Sequence, residues 1–146
     1  MTADFSYLSA LDVSASSTAE IVLHEINVEE GSPILVVSPA TAENPIYFKT
    51  HLRILKQNAA AISAGNITQA TLDASLEHAR EVFPVCVIRG WRNVVALDGT
   101  PVQFNREECA AFLKRLPNWI FRRIHDFCAT SSNFATRVDA ESLAKN

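Results

Sequence analysis

The sequence predicts an α+β fold: a mainly helical single domain with a β-hairpin near its N-terminus and a second short hairpin around Asp98-Gly99. Three observations predict it. A chain of 146 residues with 48% apolar content matches one domain and can bury a sizeable core. Apolar residues recur at three- and four-residue steps in four separate segments, the spacing of amphipathic helices. β-Branched runs flanked by glycine, proline and aspartate mark the hairpins.

Residues 1–19 are rich in Ser, Thr and Ala, with only Phe5, Tyr7, Leu8 and Leu11 to anchor them, so a flexible arm is expected. Residues 20–134 form the domain. Glu20 to Val28 reads as a strand, with Val22, His24, Ile26 and Val28 on one face and Ile21, Leu23 and Glu25 on the other. The Glu30-Gly31-Ser32-Pro33 turn returns the chain into Ile34 to Val37, and the pair needs a cover, because a lone hairpin is unstable in water. The cover is a helix over residues 45–64, opened by Asn44-Pro45, with Phe48, Leu52, Leu55, Ala59 and Ile62 as its core stripe. Gly65 stops it. Asn66 or Thr68 caps the next, over residues 68–83, where Leu72, Leu76, Ala79 and Phe83 repeat the spacing before Pro84 ends it.

Val94, Val95 and Leu97 precede the Asp98-Gly99 turn, and Val102 and Phe104 follow it. Asn105 can accept hydrogen bonds from the free amides of a helix start, and Glu107 and Glu108 suit the positive end of its dipole. Cys109, Phe112, Leu113 and Leu116 make that helix's stripe. Leu116-Pro117 ends it and opens the last helix, whose stripe is Ile120, Ile124, Phe127 and Cys128. The four glycines, Gly31, Gly65, Gly90 and Gly99, each read as turn residues. Residues 135–146 are polar and expected to be disordered. No repeat of 20 to 50 residues supports a solenoid.

No apolar run approaches the roughly 18 residues of a membrane span, and no basic start precedes an apolar block, so the expected location is the cytoplasm. Three cysteines without paired spacing, Cys86, Cys109 and Cys128, read as reduced core thiols. The net charge of −3 disfavours general nucleic-acid binding, but it is unevenly spread. Residues 1–50 carry seven acids against Lys49 alone, and residues 89–137 carry eight bases against four acids. Ordinary solvated surface explains this; so would a head-to-tail contact in which one copy's basic end meets another's acidic end.

Zinc is the one metal reading with any spacing to support it. His125 and Cys128 are three apart, and Cys109 could add a thiolate from the neighbouring helix. Cys109 and Cys128 also fall in the apolar stripes, where a small buried cysteine needs no metal, and no second motif, C-x-x-C or H-x-x-x-H, reinforces them, so no metal and no cofactor is assigned. No G-x-S-x-G, P-loop or G-x-G-x-x-G is present, and the expectation is a protein that is not an enzyme. The partner-binding candidates are Trp119, Arg122 and Arg123, with Trp91, because tryptophan and arginine are enriched at interface hot spots. Trp119 falls about one residue off the last helix's apolar stripe, at an edge a partner can reach.

The order Gly90-Trp91, Asp98-Gly99-x-Pro101-Val102-x-Phe104, Leu113-x-x-Leu116-Pro117 and Asn133-Phe134 resembles the tail assembly chaperones of long-tailed (siphovirus-type) bacteriophages and prophages. The resemblance covers roughly the C-terminal third. It implies a chaperone that binds the tape measure protein, recruits tail tube subunits, self-associates into oligomers and is absent from the mature virion. It implies neither nucleic acid nor membrane as a partner, and it places the protein in the host cell cytoplasm. The alternative is a structural tail component, a connector or terminator retained in the virion. Such chaperones are commonly made in two lengths by ribosomal frameshifting. Ala144-Lys145-Asn146 can be encoded as GCA-AAA-AAC, which contains a slip-prone A-AAA-AAC heptamer.

Overall fold

The computed structural model describes residues 2–29, 31–63, 69–136 and 138, with the side chains of residues 54, 55, 57–63 and 69–73 left out. The described residues form a single α+β domain of four α-helices and a three-stranded antiparallel sheet. The strands are β1 (Ala19–Val22), β2 (Ile34–Val37) and β3 (Ile88–Arg92), in the order β1-β2-β3. The helices are α1 (Pro45–Ser63), α2 (Gln69–Cys86), α3 (Arg106–Arg115) and α4 (Asn118–Cys128), with 3₁₀ turns at Ser6–Leu11 and Ser131–Phe134. Of these, α2 packs against β3.

β1 and β2 form the expected N-terminal hairpin, Ile21 opposite Leu35. The first strand is shorter than the sequence suggested: it ends at Val22, and the chain turns at His24 and Glu25, with Val28 making only a bridge to Gly31. Leu23, just past the strand, is fully buried, and its N–H donates to Pro33 O at 2.9 Å. β3 precedes the Asp98-Gly99 turn instead of flanking it, and pairs with β2, aligning Leu35 with Trp91. Val36 faces Gly90 and Val37 faces Ile88, so Arg89 is the extra residue of a bulge.

The second short hairpin is built as expected, with Ala96 N–H donating to Thr100 O at 2.8 Å and Val102 N–H to Val94 O at 2.8 Å. Gly99 sits at φ +86°, which a side chain would resist. Gly90 makes no turn; it is an ordinary strand residue, and the left-handed turn after β3 belongs to Asn93 at φ 61°. Asn93 Nδ2 donates to Ser32 O at 3.2 Å, tying the two turns together. Gly65, Asn66 and Thr68 lie outside the described residues, as do the side chains of Leu55, Ala59, Ile62 and Leu72.

Two helical expectations are corrected. The α1 stripe does not enter the core at its start: Phe48 and Leu52 are more than a third exposed, and Tyr47 is the buried residue, edge-on to Phe83 at 6.1 Å. Pro84 does not end α2, which runs on to Cys86, and Val87 N–H still reaches Phe83 O at 3.0 Å. An interior proline costs about 3 kcal/mol. Phe83, Cys86 and Val87 are all buried around it, and large apolar side chains gain about 1.5–3 kcal/mol each on burial, so packing carries the helix through.

Asn105 caps α3 as read, its side chain accepting Glu108 N–H at 2.8 Å. Cys109 and Leu113 are fully buried, and Leu116 closes the helix with extended backbone. Pro117 precedes the first residue of α4, and its carbonyl accepts Ile120 and Phe121 N–H, both at 3.1 Å. The α4 stripe is Ile120, Phe121, Ile124 and Cys128, with Phe127 partly buried.

One buried cation holds this corner. Arg80 on α2 is 5% exposed; its Nη1 donates to Leu116 O at 2.8 Å and also to Leu113 O, and its Nη2 donates to Asn118 Oδ1 at 2.6 Å. The guanidinium lies 4.7 Å over the Phe121 ring. Its Nε is 3.4 Å from the exposed Glu77 carboxylate, an ion-pair distance without hydrogen-bond alignment. Arg80→Met should therefore lower the unfolding free energy by at least about 2 kcal/mol in urea denaturation, since it strands carbonyls at the end of α3. A loss under about 0.5 kcal/mol would show that the clamp is incidental.

Candidate partner-binding surface

α4 separates its two sides sharply. Ile120, Phe121, Ile124 and Cys128 are buried, and Trp119, Arg122 and Arg123 face out. Trp119 is 63% exposed, an unusual position for an indole, and Arg122 has no ion-pair partner among the described residues. Arg123 is committed: its Nη2 lies 2.5 and 2.7 Å from the two carboxylate oxygens of Glu25, 98 residues earlier. Exposed pairs of this kind contribute about 0.2–1 kcal/mol.

Trp91 belongs elsewhere. Its ring packs edge-on against Phe104 at 5.1 Å and Phe112 at 5.5 Å, and its Nε1 donates to Val102 O at 2.9 Å. The indole thus pins the short hairpin and α3 to β3. The structure gathers Trp119, Arg122 and Arg123 on one helix and sets Trp91 in an aromatic cluster with a packing role.

Two acids near the start of the chain meet bases of its second half within one molecule. Arg92 Nη2 contacts Glu20 across the sheet at 2.5 and 2.9 Å, and Arg123 contacts Glu25. Sequence reasoning left the charge asymmetry of the chain open between solvated surface and a contact between copies, and it missed these partners, which the chain order separates by 72 and 98 residues.

Two of the histidines stack on buried aromatic rings. His51 stacks on Tyr47 at 5.6 Å, and His125 stacks on Phe83 at 5.7 Å. Burial, and then the nearby His125, push the His51 pKa down. Burial pushes the Cys86 thiol up to about 11, partly offset by Arg89, and pushes Cys109 and Cys128 up to about 12. Cys109 and Cys128 are fully buried, and among the described residues no three His, Cys, Asp or Glu side chains group as metal ligands.

No described helix is long and apolar enough to cross a membrane. The N-terminal segment forms a 3₁₀ turn at Ser6–Leu11 whose Phe5, Tyr7, Leu8 and Leu11 are exposed, while Arg89 Nη2 reaches Ala15 O at 3.3 Å. Thr136 N–H donates to Ala10 O at 3.2 Å, joining the two ends. Ala144-Lys145-Asn146 lie outside the described residues.

Two outcomes follow from this geometry. Trp91→Ala should cost about 2–3 kcal/mol of stability, whereas Trp119→Ala should change it by under about 0.5 kcal/mol; equal losses in urea titrations would contradict the assignment. For the thiols, the folded chain holds protons that the unfolded chain releases above about pH 9, so stability should fall as pH rises from about 9 towards 12. At pH 8 the native thiols should react with a thiol reagent far more slowly than in urea, and rapid stoichiometric labelling of the native chain would refute their burial.

No curated protein and no solved structure matches the chain. A family model described as YdaY prophage protein matches residues 42–146, from just before α1 onward, leaving out β1 and β2. That match spans more than two thirds of the sequence: the chain belongs to the YdaY prophage protein family.

Proposed function

We propose that the chain is a phage tail assembly chaperone, a protein that binds the tape measure protein in the host cytoplasm, recruits tail tube subunits, and is left out of the finished virion. Membership of a prophage family supports the setting. The ordered motif set supports the finer reading, and the observation that carries it is the exposed Trp119 on the outer side of α4 beside Arg122, which has no ion-pair partner among the described residues. An indole next to a guanidinium offers apolar area and a directional charge at little entropic cost, which suits an amphipathic helical client. Contact through one such patch is weak enough to be displaced by tube subunits and strong enough to be multiplied by many copies.

The protein's work in this reading is surface contact, with no catalysed reaction and no bound cofactor. Neither nucleic acid nor lipid is a partner.

Co-expression with the tape measure protein from the same prophage tests this. The wild-type chain should keep the client soluble and co-purify with it, and Trp119→Ala with Arg122→Glu should lose at least about tenfold in recovered complex while remaining folded. Mass spectrometry of purified particles should find the chain absent. A fixed copy number per particle would overturn the reading in favour of a connector or terminator.

A further inference from the structure

The exposed side of α1 is basic and apolar. At 3.6 residues per turn, Phe48, Leu52, Lys56, Lys49, Arg53 and Ile46 fall in one continuous sector, opposite the buried Tyr47. All six are exposed, and Ile46 is 61% so. The helix sequence holds three cations and no acid, in a chain whose net charge is −3. Among the described residues none of these cations has a carboxylate partner.

A second surface has the opposite character. The segments 27–29 and 95–99 flank an open groove of about 770 Å³, lined by Val28, Val95 and the fully exposed Leu97, and edged by Glu29 and Asp98. Both carboxylates are exposed and without an ion-pair partner among the described residues. Hydrogen bonds from Thr100 hold the Asp98 carboxyl below its ordinary pKa, so it is charged at any physiological pH.

The geometry points to a head-to-tail contact in which the basic-apolar side of α1 on one copy docks into the acidic-apolar groove of the next. The occupant is a second copy because the two surfaces complement each other in both terms: Phe48 and Leu52 meet Val28, Val95 and Leu97, while Lys49 and Arg53 meet Glu29 and Asp98. Docked head to tail, each copy offers α1 to one neighbour and its groove to another, so the contact is heterologous and propagates into a ring or an open array. It differs from the contact the sequence offered between the two ends of the chain, where Glu20 pairs with Arg92 and Glu25 with Arg123 in one molecule. The inference rests on the proposed function, in which many copies act on one client, and names the surfaces between those copies.

Light scattering on the full chain tests it with two variants. Lys49→Glu with Arg53→Glu makes both surfaces acidic, and Glu29→Lys with Ala96→Lys makes both basic. The wild-type chain should exceed the monomer mass at low salt and shrink towards it as salt is raised. Each variant alone should be monomeric, and their equimolar mixture should regain wild-type mass, which also shows that both are folded. Leu97→Ser should weaken association about tenfold with no change of charge. A monomeric wild-type chain, variants of unaltered mass, or a mixture that stays monomeric would each overturn the contact. Charge-dependent association in a chain that cannot keep the tape measure protein soluble would uphold the contact and sink the chaperone reading alone.

Discussion

The Arg80 guanidinium is the interaction on which the helical half of the domain depends. A cation with only 5% exposure needs compensation, and it finds it in the carbonyls of Leu113 and Leu116 at the negative end of α3, in the Asn118 side chain and in the face of Phe121. That end of α3 would otherwise present unsatisfied acceptors in the core. Arg80 thus couples α2 to the break between α3 and α4 and sets the direction in which α4 leaves. Since the angle of α4 decides that Phe121 and Ile124 point inward, it also decides that Trp119 and Arg122 point outward.

The motifs that carry the resemblance each have a packing job. Trp91 locks Phe104 and Phe112 and takes up the Val102 carbonyl; Gly99 supplies the turn conformation; Leu116-Pro117 is the corner that Arg80 seizes. Asn133 Nδ2 donates to Phe127 O at 2.9 Å, and Phe134 packs edge-on to Phe127 at 5.9 Å, closing the end of α4. Such a set specifies a fold, and proteins with different clients can share it. Function then resides in what the fold leaves outside, which the motifs do not specify.

Local signals were legible in the sequence and tertiary ones were not. Asn105, the Asp98-Gly99 turn, the break at Leu116-Pro117 and the α4 stripe depend on chemistry within a few residues, and each is where the spacing put it, save that the stripe also takes in Phe121 and buries Phe127 only in part. The errors share a cause. The α1 stripe looks like core by periodicity, but periodicity gives an apolar side and not what covers it; the packing partner chose Tyr47. Pro84 reads as a stop, and burial of the turn around it overrides that rule. Both tryptophans stand beside arginines; helical spacing already set Trp119 at the edge of the α4 stripe, whereas the packing role of Trp91 comes from the sheet register that brings it over α3. Arg80 gave no signal at all, because an arginine on a helix is usually solvated and its acceptors lie 33 or more residues away.

The central claim is that this domain works by holding another protein on its outer surfaces while its core, histidines and thiols stay as they are. Hydrogen exchange of the chain alone and in complex with the tape measure protein tests it most directly. Added protection should fall on the start of α4 around Trp119 and Arg122, with the amides of β2 and of α2 near Arg80 unchanged. Protection confined to the interior around Tyr47, His51 and His125, with none at α4, would contradict it.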